Sequence, residues 1–214
     1  MFVDLPSLLE QLDAVAGCND RSLGRLLARR CLEQSNACAR SLVDWIETSA
    51  PQGWGMAGCS SLDYDNATPD GVKDAHLMCL FWTTYAQVLT VIRSISSLSP
   101  AGPNTDMYES TILACCQSIA RTVPIFFVGE ADVAGCHPIV SFPMFFALQG
   151  LLSTESPAAS EDRLRLLALF TKSAKGGGSL ARFVLSLLEH SPVLQRTEAA
   201  KAVATLASEE PLSP

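Results

Sequence analysis

Cysteine and histidine are the residues of this chain best suited to metal binding or redox chemistry. The eight cysteines stand at positions 18, 31, 38, 59, 79, 115, 116 and 136. No two of them are separated by the two-to-four-residue gap that structural zinc sites and redox dithiols use. His76, His137 and His190 are too widely scattered along the chain to make a metal site evident. We therefore predict no bound metal ion and no cofactor.

Three short segments contain catalytic residue types in an unsuitable arrangement. Cys136 and His137 could pair for nucleophilic chemistry, but the side chains of adjacent residues do not usually face each other. The Gly-Cys-Ser run at 58–60 approaches a hydrolase nucleophile turn only in composition. Lys175 precedes the three glycines at 176–178, whereas a nucleotide-binding loop has its lysine after the glycines. A helix end followed by a tight turn explains this run better. We assign no catalytic residue.

The overall composition predicts one globular domain with free thiols. Of the 214 residues, 48% are hydrophobic and 17% are charged, so the chain can build one core without disulfides or a metal. Most cysteines fall in apolar segments, where a free cysteine behaves as a small buried hydrophobic residue. Free thiols suit a reducing compartment, and we expect an intracellular location, either nuclear or cytoplasmic.

The charge and the hydropathy pattern argue against two classes of partner. The formal net charge is −7, which opposes binding to a polyanion, so we expect no direct contact with nucleic acid. The longest apolar tract, from Leu77 to Ile92, is interrupted by Thr83, Thr84 and Gln87. It is also shorter than the roughly 20 apolar residues of a membrane-spanning helix. We expect no membrane span.

Apolar residues recur at three-to-four spacing in most of the chain, which predicts an all-α bundle of about seven to eight helices. We predict a single helical domain over residues 1–208, followed by a polar tail at 209–214. Asp4 should cap a first short helix that ends at Gly17, and a second helix should start after Asn19 or Asp20. Residues 49–72 are rich in Gly, Pro and Ser and predict a long loop.

The second half of the chain predicts a central helix and several helices that pack around it. The segment from Gly71 to Ser97 is apolar on nearly every side, which is typical of a helix at the centre of a fold. Ser141 should cap a later helix, with Pro143 in its first turn. A final alanine-rich helix is predicted at about 196–207. Two helices, one after Ser160 and one after the glycines at 176–178, should bury Leu164, Leu167, Phe170, Leu180, Phe183, Val184 and Leu187.

These elements should bring four side chains together where the central helix meets the Phe142-to-Leu152 helix. Trp82, Tyr85, His137 and Phe145 could line an internal apolar pocket there, because sites in all-α folds form between facing helices. The alternative is that the same side chains simply pack against one another. Both interpretations stay open from the residues alone.

Several segments, taken in order, resemble the C-terminal regulatory domain of fungal binuclear-zinc-cluster transcription factors. The early helices, ending at Leu42-Val43-Asp44-Trp45, are similar to the opening pair of that domain, which ends in an acidic residue and a tryptophan. The segment from Ala75 to Val91 resembles its central tryptophan-bearing helix. The remaining matches are Cys116, Ser118, Ile119, Phe142 and Pro143, with Ala147 one position further along than in the family, and then Gly177 or Gly178 followed by Leu180 and Phe183.

The resemblance runs from about residue 5 to residue 190 and implies a regulatory function. The six-cysteine zinc cluster, the basic linker and the coiled-coil segment of the family have no counterpart here, so direct promoter binding does not carry over. We expect a transcription-factor-like regulator, encoded beside a fungal secondary-metabolite pathway. It would act through protein partners, such as a DNA-binding regulator, or by sensing a small apolar ligand. The alternatives are a stand-alone helical enzyme of the cyclase or isomerase type, which holds an apolar intermediate in a pocket, and a truncated product with no activity.

Overall fold

The computed structural model describes residues 4–59, 68–97, 106–128, 137–154, 156–175 and 178–189. Within these ranges the chain forms seven α-helices, which confirms the predicted all-α bundle. A short 3-10 helix, Val123–Phe127, continues the fourth of them. The α-helices are α1 Leu5–Ala16, α2 Arg21–Ser49, α3 Pro69–Ser97, α4 Asp106–Thr122, α5 His137–Leu152, α6 Pro157–Lys175 and α7 Ser179–Glu189.

The first two helices begin at the side-chain caps that the sequence predicts. The Asp20 carboxylate accepts the backbone N–H groups of Ser22 at 2.7 Å and Leu23 at 3.1 Å. The Asp4 carboxylate accepts the N–H of Ser7 at 3.3 Å. These bonds satisfy backbone donors that have no partner inside a helix. Both predicted helix starts are confirmed.

Helix α3 is the axis of the core, as its uniform apolarity predicts. It packs against α1, α2, α4 and α5. Thirteen of its side chains are buried, including the fully buried Trp82. A helix that is buried on most sides needs apolar residues around its whole circumference, which is the pattern seen in the sequence. The helix begins at Pro69, a little earlier than predicted, so the end of the predicted loop at 49–72 is helical.

The described start of that loop is a small hairpin that the sequence did not predict. Strand β1 Trp54–Gly55 pairs antiparallel with strand β2 Gly58–Cys59. Each strand has two residues, which is too short for the alternating pattern that identifies strands in a sequence. Gly58 has a φ of 113°, a conformation that other residues rarely adopt. The Ser118 hydroxyl lies 3.4 Å from the Met56 carbonyl oxygen and ties the hairpin to α4.

Helix α5 begins earlier than predicted, which changes the position of its proline. The prediction placed Ser141 at the cap and Pro143 in the first turn, but the helix begins at His137 and Pro143 lies inside it. Val140 is fully buried, and its burial favours a helix that already includes this residue. The predicted cap at Ser141 was therefore wrong, and Pro143 costs the helix one backbone hydrogen bond.

Helices α6 and α7 bury only part of their predicted apolar faces. Leu167, Phe170 and Val184 are buried as predicted. Leu164, Phe183 and Leu187 are exposed instead, because the described neighbours of these two helices, which are α4, α5 and each other, do not cover these side chains. The Gly178 N–H, just before α7, donates to the Ser173 carbonyl oxygen of α6 at 2.9 Å. The side chain of Leu180, the predicted helix at 196–207 and the tail at 209–214 lie outside the described residues.

Two helical segments, Pro69–Ser97 and Asp106–Phe127, are long and apolar enough to cross a membrane by length and composition. In their most apolar windows, 61% and 56% of the residues are buried inside the fold. Helices at the centre of a globular core have the same composition. The two segments are therefore weak evidence for a membrane location.

Candidate ligand-binding cleft

The four side chains predicted to line one pocket have different surroundings. Trp82 is fully buried, and its ring centroid lies 5.9 Å from that of Trp54 in the hairpin. Tyr85 is half-buried against Phe81, and Phe145 is half-buried against the main core. His137 begins α5, but its side chain lies outside the described part of the structure. A pocket lined by all four residues therefore stays a prediction.

The structure has a cleft of about 550 Å³ elsewhere, between α2 and α3, and Tyr85 is the one predicted residue that lines it. The buried side chains of Leu89 and Ile92 contribute from α3, and Tyr108 contributes from the start of α4. Small-molecule sites in proteins have volumes of about 300–1,000 Å³, so this cleft can hold a small ligand. Helix α2 contributes Asn36, Ala37, Ala39, Arg40, Ser41, Val43 and Asp44.

Arg40 and Asp44 supply opposite charges at the rim of the cleft. They lie four residues apart on α2, and both are exposed. Neither side chain forms an ion pair with any described residue, whereas Arg29 and Glu33 on the same helix do so at 2.9 Å. The guanidinium of Arg40 and the carboxylate of Asp44 are therefore both available to a ligand.

A row of three aromatic rings fixes the position of Tyr85. The Tyr85 ring stacks on Phe81, with centroids 5.9 Å apart and planes 9° apart. Phe81 in turn lies 5.4 Å from Trp45 on α2. Burial, together with the nearby Cys115 thiol, raises the pKa of Tyr85 above its ordinary value of 10.0. The phenol is therefore protonated at neutral pH and can donate a hydrogen bond.

Sequence reasoning missed the part of the cleft that α2 forms. Three other arginines of α2, Arg21, Arg25 and Arg29, are spaced one turn apart, but they are exposed and do not line the cleft. The signal that could have found the site is the spacing of Asn36, Arg40 and Asp44, which recur every four residues. All three residues line the cleft.

The described cysteines mostly behave as the small buried hydrophobic residues that the sequence predicts. Cys31, Cys79, Cys115 and Cys116 are buried. Burial raises the pKa of Cys115 and of Cys116 to about 12, and it raises the pKa of Cys79 further. A thiol with such a pKa is almost entirely protonated at neutral pH and is a poor nucleophile.

Cys18 and Cys38 are half-buried, and the side chains of Cys59 and Cys136 are not described. Among the described residues, no three His, Cys, Asp or Glu side chains lie close enough together to hold a metal ion. The cleft between α2 and α3 is a candidate site whose lining residues are all described. Comparisons with protein-family models, with curated proteins and with solved structures find no match to this chain.

Proposed function

We propose that this protein is a transcription-factor-like regulatory domain that acts by binding, either to a partner protein or to a small molecule. The observation that carries this proposal is the cleft between α2 and α3, which combines the stacked ring of Tyr85 with the charges of Arg40 and Asp44, neither of which pairs with a described residue. The low reactivity of the buried thiols supports binding rather than thiol chemistry. The net charge of −7 favours a role in which a partner makes the DNA contact.

The setting of this role rests on the resemblance to the fungal zinc-cluster factors. That resemblance favours a nuclear or cytoplasmic regulator of a fungal secondary-metabolite pathway. The partner would be a DNA-binding regulator, and the signal would be a small molecule that occupies the cleft. Binding of a ligand to one conformation of the domain would shift its population and so change its contact with the partner.

A second candidate function is a stand-alone pathway enzyme of the cyclase or isomerase type. The same cleft favours it, because the phenols of Tyr85 and Tyr108 and the carboxylate of Asp44 line one space. Positioning of a bound intermediate can by itself lower a reaction barrier by several kcal/mol. The two candidates predict different consequences when the gene is removed.

A deletion strain separates the two candidate functions. Loss of a regulator should lower the transcripts of a set of genes together, whereas loss of an enzyme should leave transcripts unchanged and cause one intermediate to accumulate. Complementation with the Ala37→Trp variant tests whether the cleft is needed, because Ala37 is exposed and a large ring there would fill the cleft. Complementation with Arg25→Gln, which changes an exposed residue outside the cleft, is the matched control.

The indirect mode of action is tested in a reporter strain. The full chain, fused to an unrelated DNA-binding domain, should change reporter transcription. The unfused chain should show no salt-dependent binding to duplex DNA at micromolar concentration. An unfused chain that bound duplex DNA specifically would contradict the indirect role.

A further inference from the structure

The cleft between α2 and α3 has an apolar side with an aromatic ring, which suits an aromatic ligand. Leu89 and Ile92 are buried below it, and the Tyr85 ring stands beside them. The Tyr85 ring cannot easily turn away, because it stacks on Phe81 and Phe81 packs against Trp45. A ring that is already held in place loses little conformational entropy when a ligand packs on it. This side of the cleft is therefore preorganised for an aromatic or other flat body.

The rim of the cleft adds a group that recognises anions. Arg40 is exposed, lines the cleft and forms no ion pair with any described residue. A guanidinium has five donors in a planar fork, which match the oxygens of a carboxylate or a sulfonate. The chain as a whole carries a net charge of −7, so attraction of an acidic ligand must come from a local positive charge such as this one.

Asp44 restricts the ligand further. Asp44 lies one helical turn from Arg40 and also lines the cleft. An unpaired carboxylate accepts hydrogen bonds and repels other anions. A ligand that offers a hydroxyl or an N–H next to its acidic group would satisfy both side chains. A ligand with an acidic group alone would pair with Arg40, but repulsion from Asp44 would lower its affinity.

We infer that this cleft binds a flat aromatic acid, with the acidic group at Arg40 and the ring packed against Tyr85. A hydroxyl or N–H of the ligand donates to Asp44. This inference rests on the binding role proposed above and names the class of ligand. It makes α2 the element that selects the ligand, and α3 the element that provides the apolar contact.

A pair of fluorescent probes tests the inference on the full chain. Anilinonaphthalene sulfonate is an aromatic acid with a flat naphthalene ring and one N–H, and phenylnaphthylamine is nearly the same molecule without the sulfonate. The sulfonate probe should bind with one site per chain. Arg40→Gln should weaken its affinity about tenfold, because a charge-assisted hydrogen bond is lost. The affinity of the neutral probe should not change.

The control variants assign the binding to the cleft. Asp44→Asn should weaken binding of the neutral probe, because its N–H loses a charged acceptor and no anion repulsion is relieved. Arg25→Gln should leave both probes unchanged, since Arg25 is exposed on the same helix but does not line the cleft. Ala37→Trp should weaken both probes. Phe183→Ser removes an exposed phenylalanine of α7 and should affect neither.

Two results would overturn the inference. One is an equal affinity of the Arg40→Gln and Arg25→Gln variants for the sulfonate probe. The other is loss of binding in Phe183→Ser, which would move the site to α7. Circular dichroism of each variant checks that the helices remain. The probe experiments test only the cleft, whereas the reporter and deletion strains test only regulation. Either proposal can therefore be contradicted while the other stands.

Discussion

A side-chain carbon placed on Gly150 would lie 2.5 Å from the sulfur of Cys116, which is closer than two such atoms can approach. Helices α4 and α5 pack against each other, and the missing side chain of Gly150 makes room for the fully buried Cys116 at this contact. Packed cores do not absorb an added methyl group without strain. The close approach of the two helices therefore depends on glycine at this position.

Gly150→Ala should lower the free energy of unfolding by about 1–3 kcal/mol, the usual cost of overpacking. Denaturant unfolding measures it. The same substitution in a Cys116→Ala background should cost much less, because the clashing sulfur is gone. A double-mutant cycle isolates this coupling. An equal cost in both backgrounds would mean that the two residues do not meet.

Asp162 is the buried carboxylate of a charged cluster, and its removal should destabilise the fold. Its side chain is 3% exposed and accepts hydrogen bonds from Arg121 at 3.1 Å and from Arg165 at 2.9 Å. The bond from Arg121 joins α4 to α6, whereas Arg165 lies on α6 itself, one turn from Asp162. Asp162→Asn should lower the free energy of unfolding by about 1.5–3 kcal/mol, which is the range for hydrogen bonds to charged groups.

Glu161→Gln is the matched control for Asp162→Asn. Glu161 also pairs with Arg165 at 2.9 Å, but its side chain is 82% exposed. An exposed ion pair contributes about 0–1 kcal/mol, so the midpoint of unfolding should hardly move. If the two variants unfolded at the same denaturant concentration, burial of Asp162 would not matter.

Trp82 and Trp54 form a ring pair in which one member is fully buried and the other is half-buried. Trp82→Ala should lower the free energy of unfolding by about 3–5 kcal/mol, because removal of this large side chain leaves a cavity at the centre of the core. Trp54→Ala should cost clearly less, since the hairpin lies at the surface. Thermal unfolding followed by circular dichroism compares the two. A Trp82→Ala variant that melted with the wild type would contradict the central position of α3.

The fold was largely predictable from the sequence because helix periodicity and caps are local signals. Asp20 indicates the start of α2, and the apolar run around Trp82 indicates a buried helix. Each signal lies within one or two helical turns of the feature that it predicts. The wrong details depend on distant contacts. The start of α5 depends on the burial of Val140, and the exposure of Phe183 depends on the absence of a neighbour on one side of α7 among the described residues.

The candidate site was less predictable because a cleft is a property of two helices together. Tyr85 could be selected as an aromatic residue of the central helix. Arg40 and Asp44 look like ordinary surface residues of α2 in the sequence, and only the packing of α2 on α3 brings them beside Tyr85. No local pattern in the sequence reports the angle between two helices.

The buried thiols should make the stability of the fold fall at high pH. The pKa of Cys115 and that of Cys116 rise from 9.0 to about 12, with burial as the main cause. In the unfolded chain these thiols ionise near 9, whereas in the folded chain they stay protonated. Burial of the two protonated thiols therefore contributes fully to the free energy of unfolding below about pH 9. This contribution is lost as the pH rises from there towards 12. Unfolding free energies measured at several pH values test this.

The double variant Cys115→Ala, Cys116→Ala is the control and should lose less stability over the same pH interval. Alkylation followed by site-resolved mass spectrometry gives an independent readout. In the folded chain, Cys115 and Cys116 should react more slowly than the half-buried Cys18, and their rates should still rise above about pH 9. Rapid alkylation of Cys115 at neutral pH would contradict its burial.

The pocket predicted from Trp82, Tyr85, His137 and Phe145 can be distinguished from the cleft between α2 and α3 by where a bulky substitution blocks ligand binding. Apolar ligands that bind the folded state raise the melting temperature as their concentration rises above the dissociation constant. Phe145→Trp should abolish the shift if the ligand binds beside α5, and Ala37→Trp should abolish it if the ligand binds in the cleft. We expect the melting-temperature shift caused by aromatic acids to be lost in the Ala37→Trp variant. A shift that is lost in Phe145→Trp and kept in Ala37→Trp would place the ligand in the predicted pocket and would contradict the cleft as the binding site.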